Sequence, residues 1–159
     1  MQRTSKIFTL AALKRQVTIG TQKLAEEWWL KNRTDRYEDL DLLMRRKRPP
    51  ELDLPRWAYH RLIAARTGHG DFASYHRRFQ HQNEEILCKC GREKRPWHFA
   101  ECRPAIQKWQ TETAEPQPRI RDMIGQEGWQ VFWRFLTVTK CYSKTEMLIC
   151  ILTRGVNHM

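Results

Sequence analysis

One short stretch limits this chain more than any other: Cys88-Lys89-Cys90-Gly91, then His98, then Cys102, a C-x-C-G-x6-H-x3-C spacing. If residues 86–90 are extended, side chains two apart point to the same side, so both thiols face one point. Gly91 permits a tight turn directly after the second thiol. Pro96 is placed to open a helix in which His98 and Cys102, four apart, share a face. Two ligands from a strand and turn and two from a helix predict a closed Cys3His zinc site of the structural kind. Lys89, Arg92, Lys94, Arg95 and Arg103 crowd the thiolates and favour their charged form. Such an ion supplies on the order of 10 kcal/mol of folding free energy, comparable to the whole stability of a small domain. The competing interpretation is free buried thiols beside a core histidine. A variant exchanges one ligand for His76 or His81. Cys141 and Cys150 read as core or surface thiols.

A staple matters because the core is modest. The 159 residues fit one domain, or one domain with a helical extension. Seven Trp supply core material, but 30% of the residues are charged and the mean hydropathy is -0.76. Small cores of this kind often rely on a metal or a partner. Five cysteines are an odd count, and the apolar run in the start, MQRTSKIFTLAAL, is too short for the one expected of a signal peptide, so a disulfide scaffold is not expected. MLICIL near the end is too short to span a bilayer. The expectation is an intracellular, soluble protein with no membrane partner. The net charge of +11 attracts polyanions, nucleic acid before anionic membrane, or else is only a solvated basic surface.

The expected fold is mainly α: a small helical domain stapled by the Cys3His zinc knuckle, itself a short hairpin or strand plus helix. Three segments are distinguished. Residues 1–50 hold an amphipathic helix over 7–32 and a basic linker. Leu10, Leu13, Val17, Leu24 and Trp28 recur on one face of that helix, a stripe expected to dock. Arg45-Arg46-Lys47-Arg48 precedes Pro49-Pro50, which ends helical geometry. Residues 51–112 hold the helical module and knuckle. Asp53 is the expected N-cap of a helix that stops at Thr67-Gly68, and a second short helix starts at Asp71. Residues 113–159 hold a C-terminal helical segment, broken near Gly125 and Gly128, and a tail.

Two elements, Thr67-Gly68-His69-Gly70 with Phe72, Tyr75, Arg78 and Phe79, and then Cys88, Cys90, Gly91, His98 and Cys102, carry a family resemblance. Residues 10 to about 142 resemble the region downstream of ribonuclease H in fungal LINE-like (non-LTR) retrotransposon polyproteins. The likeness fades from about Ser143. It implies a part that helps hold nucleic acid beside reverse transcriptase and ribonuclease H.

The chain has no Y-x-D-D polymerase element; Tyr37-Glu38-Asp39-Leu40 does not match. Asp35, Asp39, Asp41, Asp53 and Asp71 show no strand-borne set for two-metal hydrolysis. The expected function is therefore a non-catalytic, zinc-stabilised module binding RNA or DNA. Its candidate phosphate contacts are Arg45, Arg46, Lys47, Arg48, Arg77, Arg78, Lys94 and Arg95, and Trp97 or Tyr75 are candidates to stack on bases. His69 is expected to hydrogen-bond within its loop. The alternative is a retrotransposon-derived fungal effector acting on a host protein, inside the host cell. The blandest outcome is an element remnant without a role. An acid–base or metal set from His69, Asp71 and His76 is disfavoured, because five residues is poor spacing on a helix face.

Overall fold

The computed structural model describes residues 9–45, 47–81 and 86–141. Seven α-helices follow in order among these: α1 (Leu10–Asn32), α2 (Asp35–Asp39), α3 (Arg56–Thr67), α4 (Ala73–Arg78), α5 (Arg103–Thr113), α6 (Ile120–Ile124) and α7 (Trp129–Thr139). Extended pairing among the described residues is limited to one isolated antiparallel bridge, Leu87 with Glu93. The mainly α expectation holds. No helix among the described residues is long and apolar enough to cross a membrane.

The core forms where α3, α5, α6 and α7 meet. On α7, Phe132, Phe135, Leu136 and Thr139 are buried at helical spacing. On α3, Ala58, Leu62 and Ala65 form the facing row. The small alanines let α3 approach closely, while Trp109 of α5 supplies bulk. Trp109 and Phe135 lie 5.5 Å apart between ring centroids. Leu40 enters the same cluster from the end of α2, so segments 1–50, 51–112 and 113–159 all contribute to it.

One charged pair lies inside. Arg66 and Glu51 form a 2.8 Å ion pair with both side chains only 8% exposed. Arg66 also donates from Nε to the Ile124 carbonyl and from Nη2 to the Gly125 carbonyl, at 2.8 and 2.7 Å. One guanidinium therefore fastens α3 to the end of α6, satisfying carbonyls that the helix itself leaves free.

Several expected boundaries move. Asp53 is not the N-cap of α3: Pro50–Asp53 is a turn of 3-10 helix, and Pro55 occupies the cap position. With its φ preset, Pro50 starts this earlier turn and uses up the residues that would have capped the next. The second short helix starts at Ala73 rather than Asp71, because the Asp71 carboxylate is engaged by His76 and Lys94. α3 stops as expected at Gly68, whose φ of +75° is left-handed; a Cβ there would sit 2.7 Å from Arg36 Nη1. That guanidinium continues to a position 5.1 Å over the Trp97 ring.

α1 runs as expected, with the Thr9 hydroxyl accepting from the Ala12 N–H at 3.2 Å. Its stripe is not covered by the other described residues: Leu10, Leu13, Val17, Leu24 and Trp28 are all exposed, and no residue of the helix is buried. Only its end is tied down. Trp29 donates to the Leu42 carbonyl at 2.7 Å and stacks on Tyr37.

The Arg66→Ala variant leaves Glu51 as an uncompensated buried charge and two carbonyls unbonded. We expect a loss of about 3–5 kcal/mol, read as a lowered midpoint of urea unfolding.

Candidate metal centre

The centre is built from a hairpin, a turn and a helix start. Cys88 N–H donates to the Arg92 carbonyl at 2.7 Å, Gly91 N–H to the Cys88 carbonyl at 2.8 Å, and Lys94 N–H to the Ile86 carbonyl at 2.9 Å. These bonds close a tight loop that turns both thiols inward. Gly91 has φ +84° with open space around its α-carbon, so its backbone angle alone calls for glycine. The extended-strand expectation is met only in part, by the single bridge at Leu87.

His98 and Cys102 do not share a helix. His98 opens a 3-10 turn, His98–Ala100, and Cys102 is the N-cap residue of α5. A helix begun at Pro96 would carry Pro104 deep in its interior, where the missing N–H breaks the ladder. The chain instead ends one turn and begins a new helix with Pro104 in its first turn. Pro104 is a sequence signal that outweighs Pro96. The 3-10 turn also sends Phe99 into the core, 5.3 Å from Phe132 and 6.0 Å from Phe135 between ring centroids.

Despite this different route, the four expected ligands converge. One donor atom from each of Cys88, Cys90, His98 and Cys102 lies within 4.8 Å of the others. Cys88 Sγ and Cys102 Sγ are 4.0 Å apart, and Cys90 Sγ and His98 Nε2 3.2 Å. Donors on a tetrahedron with bonds of about 2.0–2.3 Å stand roughly 3.3–3.8 Å from one another. The separations fit one shared ion with small adjustment, and all three cysteines are free thiols. No other group of three or more His, Cys, Asp or Glu among the described residues meets that test, so His76 and His81 are not substitutes in this set.

The electrostatics suit a cation. Burial is the main cause that lowers the His98 pKa; Glu101 opposes this and Arg95 and Arg92 add to it. The ring is thus neutral and able to ligate, and its buried Nδ1 has no protein partner. The Cys102 thiol is pushed up to about 12, by burial first and by Cys88 and Cys90 beside it, partly opposed by the backbone of Ala105. Cys141 packs against the same core, and burial, with the thiols of Cys102 and Cys88, raises its pKa too. Spacing in the sequence could not place Cys141 there, since thirty-nine residues separate it from Cys102. Cys150 lies outside the described residues.

The expected phosphate contacts fall into two groups. Arg77 pairs with Glu93 at 2.5 Å, Lys94 with Asp71 at 3.3 Å and Arg95 with Glu101 at 2.6 Å, all on the hairpin and its flanks. Arg78 lies 5.6 Å over the Phe79 ring. The linker residues go elsewhere: Arg45 pairs with Glu127 before α7, and Arg48 with Asp53 at 2.8 Å. Lys47 is exposed, and Arg46 lies outside the described residues. Lys47 and Arg78 have no acidic partner among the described residues.

Trp97 is not an open stacking face: Arg36 covers it, and its Nε1 donates to the Ala65 carbonyl at 3.1 Å. Tyr75 is half-buried against Phe79. In the glycine loop, the His69 N–H donates to the Thr67 hydroxyl, and its side chain is exposed. Asp71 and His76, by contrast, do meet, at 2.8 Å. Helix-face spacing does not apply to them, because Asp71 precedes α4.

No family model, curated protein or solved structure matches this chain.

Because the Cys102 thiol is protonated at neutral pH, metal uptake must release its proton. Affinity therefore rises with pH and falls on acidification. Calorimetry in buffers of different ionisation enthalpy should show proton release. Cys102→Ala should lower affinity by orders of magnitude.

Proposed function

We propose that this chain is a non-catalytic nucleic-acid-binding module held together by a structural zinc ion, of the kind found beside reverse transcriptase and ribonuclease H in LINE-like retrotransposons. The observation that carries the proposal is the convergence of Cys88, Cys90, His98 and Cys102. Three thiolates and an imidazole select zinc over harder ions such as magnesium or calcium. Four protein ligands leave no position for a reacting water, so the ion's chemistry is a cross-link of hairpin, turn and helix.

The nucleic-acid part rests on charge and on exposed rings. The net charge is +11, and Lys47 and Arg78 are exposed cations with no acidic partner among the described residues. Trp57 is 51% exposed and sits 5.4 Å from Trp133 between ring centroids, an aromatic ledge at the start of α3 on which an unpaired base can stack. This ledge replaces Trp97 as the candidate stacking surface.

A salt titration tests the reading. Binding to single-stranded RNA and to duplex DNA should weaken linearly on a log–log plot. Lys47→Ala and Arg78→Ala should each reduce the slope by about 1. Arg95→Ala, whose charge already faces Glu101, should reduce it less. A flat plot removes the proposal.

One observation favours a second reading, an effector that engages a host protein. The apolar stripe of α1 from Leu10 to Trp28 is exposed, and an amphipathic helix of this form suits a groove on a partner. Host-protein binding lost on Val17→Glu, together with a flat salt plot, would favour it.

A further inference from the structure

A pair of histidines, His76 and His81, meets at the end of α4, and it is assembled by the way that helix stops. The Gln80 N–H donates to the Arg77 carbonyl at 3.3 Å and the His81 N–H to the His76 carbonyl at 3.0 Å. Gln80 itself has φ +54°. These are the bonds of a Schellman cap, which folds the residue just past the helix back over the last turn. In such caps the two residues brought together usually make an apolar contact. Here they are two histidines. His76 Nδ1 and His81 Nδ1 lie 3.2 Å apart.

The His76 ring is oriented from the far side. His76 Nε2 is 2.8 Å from Asp71 Oδ1. Burial tends to raise the Asp71 pKa, but the bonds from His76 and Lys94 prevail and hold it below the ordinary carboxylate value. An ionised carboxylate at Nε2 keeps the proton there, which leaves the lone pair on Nδ1 aimed at His81. Two imidazole nitrogens bound to one tetrahedral ion at about 2.0–2.1 Å stand roughly 3.3 Å apart, close to the separation found.

The rings are also held. Tyr75 packs edge-on against both imidazoles, and Phe79 lies 6.1 Å from His81 between centroids. His76 is buried and His81 exposed, so an ion reaches the pair from solvent. Of the nearby cations, Arg77 pairs with Glu93 and Lys94 with Asp71, while Arg78 lies over the Phe79 ring.

We propose that His76 and His81 form a second metal site, for a divalent transition ion that favours imidazole (nickel, copper or zinc), with Asp71 as the positioning residue and water completing the coordination. It is separate from the thiol centre, exchangeable, and independent of any nucleic-acid role.

The test is a calorimetric titration of the zinc-loaded protein with Ni(II). The wild type should take up one further equivalent. His81→Ala, a change at an exposed side chain, should abolish that equivalent while keeping the bound zinc and the tryptophan emission of the folded chain. His60→Ala, which removes an exposed histidine elsewhere on α3, should keep it. Asp71→Asn should weaken it about 10–100-fold. Ni(II) should broaden the ring signals of His76 and His81 first in the proton spectrum. No further equivalent in the wild type, its retention in His81→Ala, its loss in His60→Ala, or first broadening at His60 or His69 overturns the site. Unchanged affinity in Asp71→Asn overturns the role of Asp71.

Discussion

Three sulfurs in one partly buried corner cannot all be anions unless a cation joins them. Burial raises the cost of ionising Cys102, and Cys88 and Cys90 beside it add to that cost. An ion at the centre would remove that cost and convert two weak thiol contacts into strong bonds. The backbone of the stretch from Ile86 to Cys102 supplies little by itself: one isolated bridge, a few turn bonds and a three-residue 3-10 helix among the described residues. Phe99 gives the centre its anchorage. It sits directly after the ligand His98 and is buried between Phe132 and Phe135, so the ligand geometry and the aromatic core fix each other.

A part of the basic composition works inside the molecule. Arg66 bonds Glu51 and two carbonyls at the end of α6. Arg36 passes Gly68 and covers Trp97. This explains why glycine follows Thr67: a side chain there would strike the guanidinium, and the helix needs a left-handed residue to stop. The net charge of +11 therefore overstates the cations available to a partner, since several of them already face carboxylates across the surface. Exposed pairs of that kind add little to stability.

Most of the helices were legible because their signals are local. Periodicity gave α1 and α7, prolines and glycines marked most of the stops, and the ligand set followed from spacing. The errors share a cause. At Asp53, Asp71 and Pro96 a plausible local signal met a stronger one nearby: the turn at Pro50, the engagement of Asp71 by side chains, and Pro104. The apolar stripe of α1 was legible as a stripe, but amphipathicity says that a face is apolar and not that this chain covers it. Trp97 and Trp57 show the same limit. Both are indoles within two residues of an arginine in the sequence, and only packing makes one a covered strut and the other an open ledge.

The sequence by itself determined the chemistry of the metal centre and the helical class, because side-chain type and residue spacing act over a few residues and leave few arrangements open. Tertiary structure decided how His98 and Cys102 come beside Cys88 and Cys90, which arginines are internal, and that Asp71, His76 and His81 form a chain. Those outcomes depend on which surfaces meet across long sequence separations and on how a helix cap folds back on its last turn. Such contacts have no period, so packing in three dimensions selects them.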